Sequence, residues 1–195
     1  GGGGTIFIEV PCLDWISAHR AWFDIFYEHV NYFRLDDFRR MFGRVLESGH
    51  VFGGQYLYVV ADLASLRDPA AGGGVHFKFP SDFTASVARY ADQMRARQSA
   101  PGTAGSSVIW GGASKGVIFS LFMQRAGAKV DCVVDINPAK QGRYLAATGL
   151  RVSSPEDMLR QAAAGSDIYV MNGNYLPEIR QMTQDRFNYL TVDHE

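Results

Sequence analysis

After Ser106, short apolar runs alternate with helical segments, and this alternation constrains the fold more than any other feature of the chain. "SVIWG" reads as a strand, "SKGVIFSLFMQRAG" as a helix ending at Gly127, and "DCVVDIN" as the next strand. "SPEDMLRQAAAG" reads as a helix with Ser154 as its cap, Pro155 in its first turn and Gly165 at its end. "DIYVMN", "YLPEIRQMTQ" and "NYLTV" continue the pattern as strand, helix and strand. Strands that alternate with helices build a parallel sheet covered on both faces. Right-handed crossovers then make residues 106–195 a Rossmann-like α/β domain.

The chain before Ser106 is less regular. "TIFIEV", residues 5–10, reads as a strand stopped by Pro11. Residues 12–34 are aromatic and irregular, with "FYEHVNYF" at their centre. "LDDFRRMFGRV" is a short helix that Asp36 can cap, with Phe38, Met41 and Phe42 on one face. "RVLES" and "QYLYVVADL" read as two strands joined through "GHVFGG", which closes a first segment over residues 1–65. Residues 66–105 hold the Gly/Pro-rich connector "RDPAAGGGVHFKFPS", the helix "SDFTASVARYADQMRARQ" and the loop "SAPGTAGS". Phe83, Val87, Tyr90 and Met94 recur at helical spacing on one face of that helix. "GGGG" runs straight into an apolar strand, which is expected of a tag scar or of a chain cut from a longer one.

Composition narrows the function classes. At 195 residues the chain suits one large domain or two small ones, and at 47% hydrophobic it can bury a core. A net charge of -1 gives no general attraction to nucleic acid or to an anionic membrane. No apolar run is long enough to span a bilayer. Cys12 and Cys132 lie far apart in apolar contexts and read as buried free thiols. Without C-x-x-C spacing they do not suggest a zinc site, so no metal is expected, and a cytoplasmic protein fits best.

The strand–turn–helix around "WGGASKG" is the candidate ligand site. Gly111, Ala113 and Gly116 fit G-x-A-x-x-G, a relative of the dinucleotide fingerprint. Gly111 allows the tight turn, and Gly116 lets the helix pack close to the sheet. Ala113 replaces the glycine that admits a pyrophosphate. Lys115 adds charge near the amide-rich helix start, where anions are favoured. Asp135 ends the next strand, where a ribose-binding acid would sit. Asp135, Asn137, Lys140, Gln141 and Arg143 form a polar cluster past a strand carboxyl end, the edge where open parallel sheets bind ligands.

Taken together, "WGGASKG", "VVDINPAKQGRYL" and "DIYVMNGNYLPEI" resemble the C-terminal domain of S-adenosylmethionine-dependent C-methyltransferases that act on nucleotide-linked deoxysugars. "GGTIFIEVP", "FDIFYEHVNYF" and "FGGQYLYVV" are similar to the closing part of that family's class I methyltransferase domain. There the fifth strand, its helix and a final antiparallel pair come last. The resemblance implies that the chain is a part of such an enzyme, with the S-adenosylmethionine site on earlier strands absent here. It implies a fragment inactive by itself, with no cofactor bound to it. It also implies a free edge on strand 5–10, paired with another copy or covered.

In the family, a base removes an acidic proton beside a ketone and the enolate takes the methyl group. That base must titrate near neutrality, which suits histidine. The resemblance places His29 as base or relay, with Glu28 and Tyr27 beside it. It places Gly111, Gly112, Ser114, Lys115, Asp135, Asn137, Lys140 and Asn174 around a nucleotide-sugar-like substrate. The chain departs from the family pattern at Phe26, Phe52, Gly173 and Ala146–Ala147. Two other classes share these residues: a non-catalytic anion- or nucleotide-binding or interaction module, and an NAD-dependent oxidoreductase domain, which Asp135 would permit.

Overall fold

A computed structural model describes residues 3–68, 77–99 and 105–192. The middle of the Gly/Pro-rich connector and most of "SAPGTAGS" lie outside the described residues. The chain forms two compact units: residues 1–22 with 27–83, and residues 23–26 with 84–195.

Unit 1 is built on a three-stranded antiparallel sheet. β1 (Thr5–Pro11) and β2 (Val45–Val51) flank β3 (Tyr56–Asp62), in the order β1-β3-β2. The alternation of β3 explains its central place: Leu57, Val59 and Ala61 are fully buried on one face. They pack with Cys12, Phe38 and Phe42, and with Ile6, Ile8 and Val10 of β1. Among the described residues β1 is an edge strand, and its outward Phe7 is 61% exposed and stacked on Tyr58.

Two local expectations in unit 1 are corrected. Residues 12–34 are not wholly irregular, because α1 (Leu13–Ala18) and a 3-10 turn (Trp22–Asp24) lie within them. The cap of α2 (Leu35–Met41) is not Asp36. Asp37 Oδ2 accepts the Arg34 N–H at 2.8 Å, while Asp36 sits in the first turn and pairs with Arg39 at 2.9 Å.

Unit 2 is the expected α/β sheet. α3 (Ala85–Ser99) precedes β4 (Ser107–Trp110), α4 (Ser114–Arg125), β5 (Cys132–Val134), β6 (Val152–Ser153), α5 (Pro155–Gln161), β7 (Asp167–Val170), α6 (Leu176–Met182) and β8 (Asn188–Thr191). The five strands are all parallel, in the order β6-β5-β4-β7-β8. β6 has no counterpart in the sequence reading, because two residues carry no periodic signal. α3 begins after Phe83, so its buried face is Tyr90, Ala91 and Met94.

Every residue of β4 and β7 is buried, as a central parallel strand requires. Val108, Trp110, Val134, Ile168 and Val170 pack against Met158 and Ala162 from the α5 side and Ile179 of α6. On the opposite face, Tyr90 of α3 and Phe119 of α4 meet Tyr169 of β7, with ring centroids 5.3 to 6.2 Å apart. Burial pushes the Tyr169 phenol well above its ordinary titration range. Both cysteines are free; Cys12 is buried, whereas Cys132 is only half-buried, and burial raises its thiol pKa. No described helix is long and apolar enough to cross a membrane.

The strand order fixes where the sheet opens at its carboxyl edge. β4 is followed by β5 on one side, and β7 lies on the other, so connections leave this pair in opposite directions. Such a switch point opens a crevice at the strand carboxyl ends. The segments after Trp110 and after Val170 line it.

Candidate functional site

The turn between β4 and α4 is locked by glycine geometry. Gly111 has φ of 120°, a conformation side chains rarely adopt, and its N–H donates to the Val134 carbonyl at 2.8 Å. A Cβ on Gly111 would lie 3.1 Å from the Cβ of Met171, just past β7. A Cβ on Gly116 would lie 1.9 Å from the Gly111 carbonyl oxygen, which no real side chain tolerates. Gly116 therefore lets α4 start hard against the turn.

The start of α4 is left bare. Its N-cap is Ala113, which has no side-chain cap, and no acidic residue stands in the first turn. The first amides of a helix have no intrahelical acceptors, so the N–H groups of Ser114, Lys115 and Gly116 are available there. Lys115 stands among them. Its Nζ lies 3.1 Å from Asp24 Oδ2 and 5.6 Å from the centre of the Phe23 ring.

Asp135 is buried and organises the neighbouring loop. Its Oδ2 accepts the Gly112 N–H at 2.9 Å and the Lys140 ammonium at 3.0 Å. Its Oδ1 accepts the Asn137 N–H at 2.9 Å, and its main-chain oxygen accepts from Gln141 Nε2 at 3.0 Å. The carboxylate thus ties the loop after β5 to the turn after β4. A ribose-binding acid must offer its oxygens to hydroxyls, and here they are already engaged.

The β7 side supplies Asn174. It lies exposed in the 3-10 turn Gly173–Tyr175, and its N–H donates to Asn172 Oδ1 at 3.0 Å. The structure so gathers Gly111, Gly112, Ser114, Lys115, Asp135, Asn137, Lys140 and Asn174 at the carboxyl edge of one sheet. Sequence reasoning missed Asp24 and Phe23. Nothing local marks them, because their meaning depends on Lys115, far along the chain.

Tyr27, Glu28 and His29 belong to unit 1. Tyr27 is 83% exposed, Glu28 is exposed, and His29 is half-buried with its ring 5.7 Å from that of Tyr32. Of the departures noted above, Phe26 is half-buried and Phe52 is exposed edge-on to Tyr56. Among the described residues, no cluster of His, Cys, Asp and Glu could hold a metal ion.

Residues 65–188, more than half of the chain, match the family described as the C-methyltransferase C-terminal domain. The match runs from the end of unit 1 through α3 and the parallel sheet into β8. A search of curated proteins returns no match to this chain.

Proposed function

The chain belongs to the C-methyltransferase C-terminal domain family, and from that membership we propose that it is part of an S-adenosylmethionine-dependent C-methyltransferase. Unit 2 binds the nucleotide portion of a nucleotide-sugar-like substrate. One observation carries this reading: an uncapped helix start and a lysine meet on a rigid glycine turn at the switch point of a parallel sheet. Bare amides, the helix dipole and an ammonium favour a phosphate group in one place. Lys140 and Asn174 add polar groups at the rim.

In this reading His29 takes the acidic proton beside the substrate ketone, with Glu28 and Tyr27 as neighbours. Two free cysteines suit a cytoplasmic enzyme. A second reading, a binding module without catalysis, is favoured by the exposure of Tyr27 and Glu28. The oxidoreductase alternative is disfavoured by the engaged carboxylate of Asp135.

Calorimetry with thymidine diphosphate, S-adenosylmethionine and NAD separates these readings. Thymidine diphosphate should bind, and Lys115→Ala should weaken it at least about tenfold, as loss of a charge-assisted phosphate contact does. Binding of NAD alone would sink the proposal. The catalytic part has its own outcome: in the complete enzyme, unchanged turnover of His29→Ala would leave only the binding module.

A further inference from the structure

The two edges of the unit 1 sheet are built differently. β2 carries a register shift between Val45 and Glu47 against β3. A bulge of this kind twists an edge away from further strands. β1 has no such break: Thr5–Pro11 pairs with β3 in one continuous register. β1 also holds no lysine, and its only charged residue is Glu9. Natural edge strands are usually blunted by such devices, and here one edge has them while the other does not.

The phase of the ladder shows which groups of β1 are open. The Leu63 N–H donates to the Gly4 carbonyl at 2.8 Å, and the Cys12 N–H donates to the Gln55 carbonyl at 2.9 Å. Bonded residues alternate along an antiparallel pair, so between these points Ile6, Ile8 and Val10 exchange bonds with β3. Thr5, Phe7 and Glu9 therefore direct their N–H and C=O groups outward. Among the described residues no strand pairs with them. Past Pro11, which has no N–H, the Leu13 N–H donates to the Phe33 carbonyl at 2.9 Å and closes that end of the edge. The open window thus runs from Thr5 to Glu9, with Phe7 at its midpoint, and all three side chains are exposed.

We propose that this window pairs with the same window of a second copy of the chain, antiparallel, about a two-fold axis at Phe7. The residues select that register. Phe7 then faces Phe7 of the second copy, and Thr5 of each copy faces Glu9 of the other. Each strand donates its three outward N–H groups and accepts at the three matching carbonyls. An axis at Ile8 would set Thr5 against Pro11, which has no N–H to give. An axis at Ile6 would carry Glu9 past the window to Gly3, and an axis at Glu9 would oppose two carboxylates. The chosen register instead gains an aromatic pair and two hydroxyl–carboxylate pairs. Phe7 already stacks on Tyr58, with ring centroids 6.1 Å apart, so the aromatic row continues across the axis. The joined sheet ends on a bulged β2 at either side, so the assembly closes as a two-fold dimer. The pairing involves unit 1 alone and is independent of the crevice in unit 2.

The test combines oligomeric state with local exchange. Sedimentation over a concentration series is measured for the 195-residue chain, Phe7→Lys and Thr5→Lys. Wild type should form a concentration-dependent dimer. Phe7→Lys sets two ammonium groups across the axis and should raise the dissociation constant at least about fivefold. Thr5→Lys sets an ammonium opposite each Glu9 and should lower it at least about twofold. In wild type, amide hydrogen exchange at Thr5, Phe7 and Glu9 should slow as the dimer forms, while Ile6 and Ile8 exchange slowly throughout. A monomer at every concentration overturns the proposal, as does a dimer indifferent to both substitutions. Slow exchange at Thr5, Phe7 and Glu9 in the monomer overturns it too, since another segment of the chain would then cover the edge. Should Phe7→Lys fail to fold, Thr5→Lys and the wild-type exchange decide.

Discussion

Gly116 is the residue on which the turn geometry depends most. Its missing Cβ leaves room for the Gly111 carbonyl oxygen, which would otherwise lie 1.9 Å away. That neighbour is backbone and cannot rotate aside, so Gly116→Ala must push α4 off the sheet. The expected cost is about 3 kcal/mol or more in chemical denaturation, at the high end of overpacking; a loss under about 1 kcal/mol would mean that the helix start is looser than this. Tyr169 poses the opposite case. Its hydroxyl is buried with no hydrogen-bond partner among the described residues. Tyr169→Phe should therefore be neutral or stabilising by up to about 1 kcal/mol near pH 7. The phenol's pKa is raised in the folded state from its ordinary 10.0, chiefly by burial. Its contribution is fully present below that value and is lost as the pH climbs above it. Denaturation at increasing pH should thus show the Phe variant gaining on wild type above about pH 10. A destabilised variant at neutral pH would reveal a partner for the hydroxyl.

At the scale of elements, legibility followed the presence of local signals. α5 shows this well. Ser154 and Pro155 were readable as its start, and the Ser154 hydroxyl does accept the Asp157 N–H at 3.1 Å. Its end was less readable: the helix stops at Gln161, short of Gly165. Ser154→Ala should cost about 1 kcal/mol in thermal or chemical unfolding, since it removes the acceptor of the Asp157 N–H. An unchanged midpoint would mean that packing of Met158 alone holds the element. β4, α4, β7 and α6 were legible because apolar runs and helical spacing alternate cleanly. β6 was not, because Val152 and Ser153 become a strand only by pairing with Val133 and Val134. α1 was hidden among aromatic residues, and the N-cap of α2 is Arg34, whose N–H is accepted by Asp37 in the first turn rather than by Asp36, because either carboxylate satisfies the local pattern.

At the scale of the molecule, the strand order gives the candidate site its meaning. Motif spacing could bring Gly111, Gly116 and Asp135 to attention, but not decide what they do. Parallel pairing of β4 with both β5 and β7 sets the turn at a switch point. The hydrogen bonds of Asp135 turn a nominal ribose ligand into a brace for the turn. The pairing of Lys115 with Asp24 had no trace in either local stretch, since it joins residues far apart along the chain. Family membership then connects this crevice to C-methyltransferases, and the account's central claim is that the crevice receives the phosphates of a nucleotide substrate. The most direct measurement is a titration of the isotopically labelled chain with thymidine diphosphate, followed by the amide resonances. Saturable shifts centred on Gly111–Gly116 and on Asn172–Asn174, abolished by Lys115→Ala, are expected. Shifts confined to other residues, or the same response from NAD and none from thymidine diphosphate, would contradict it.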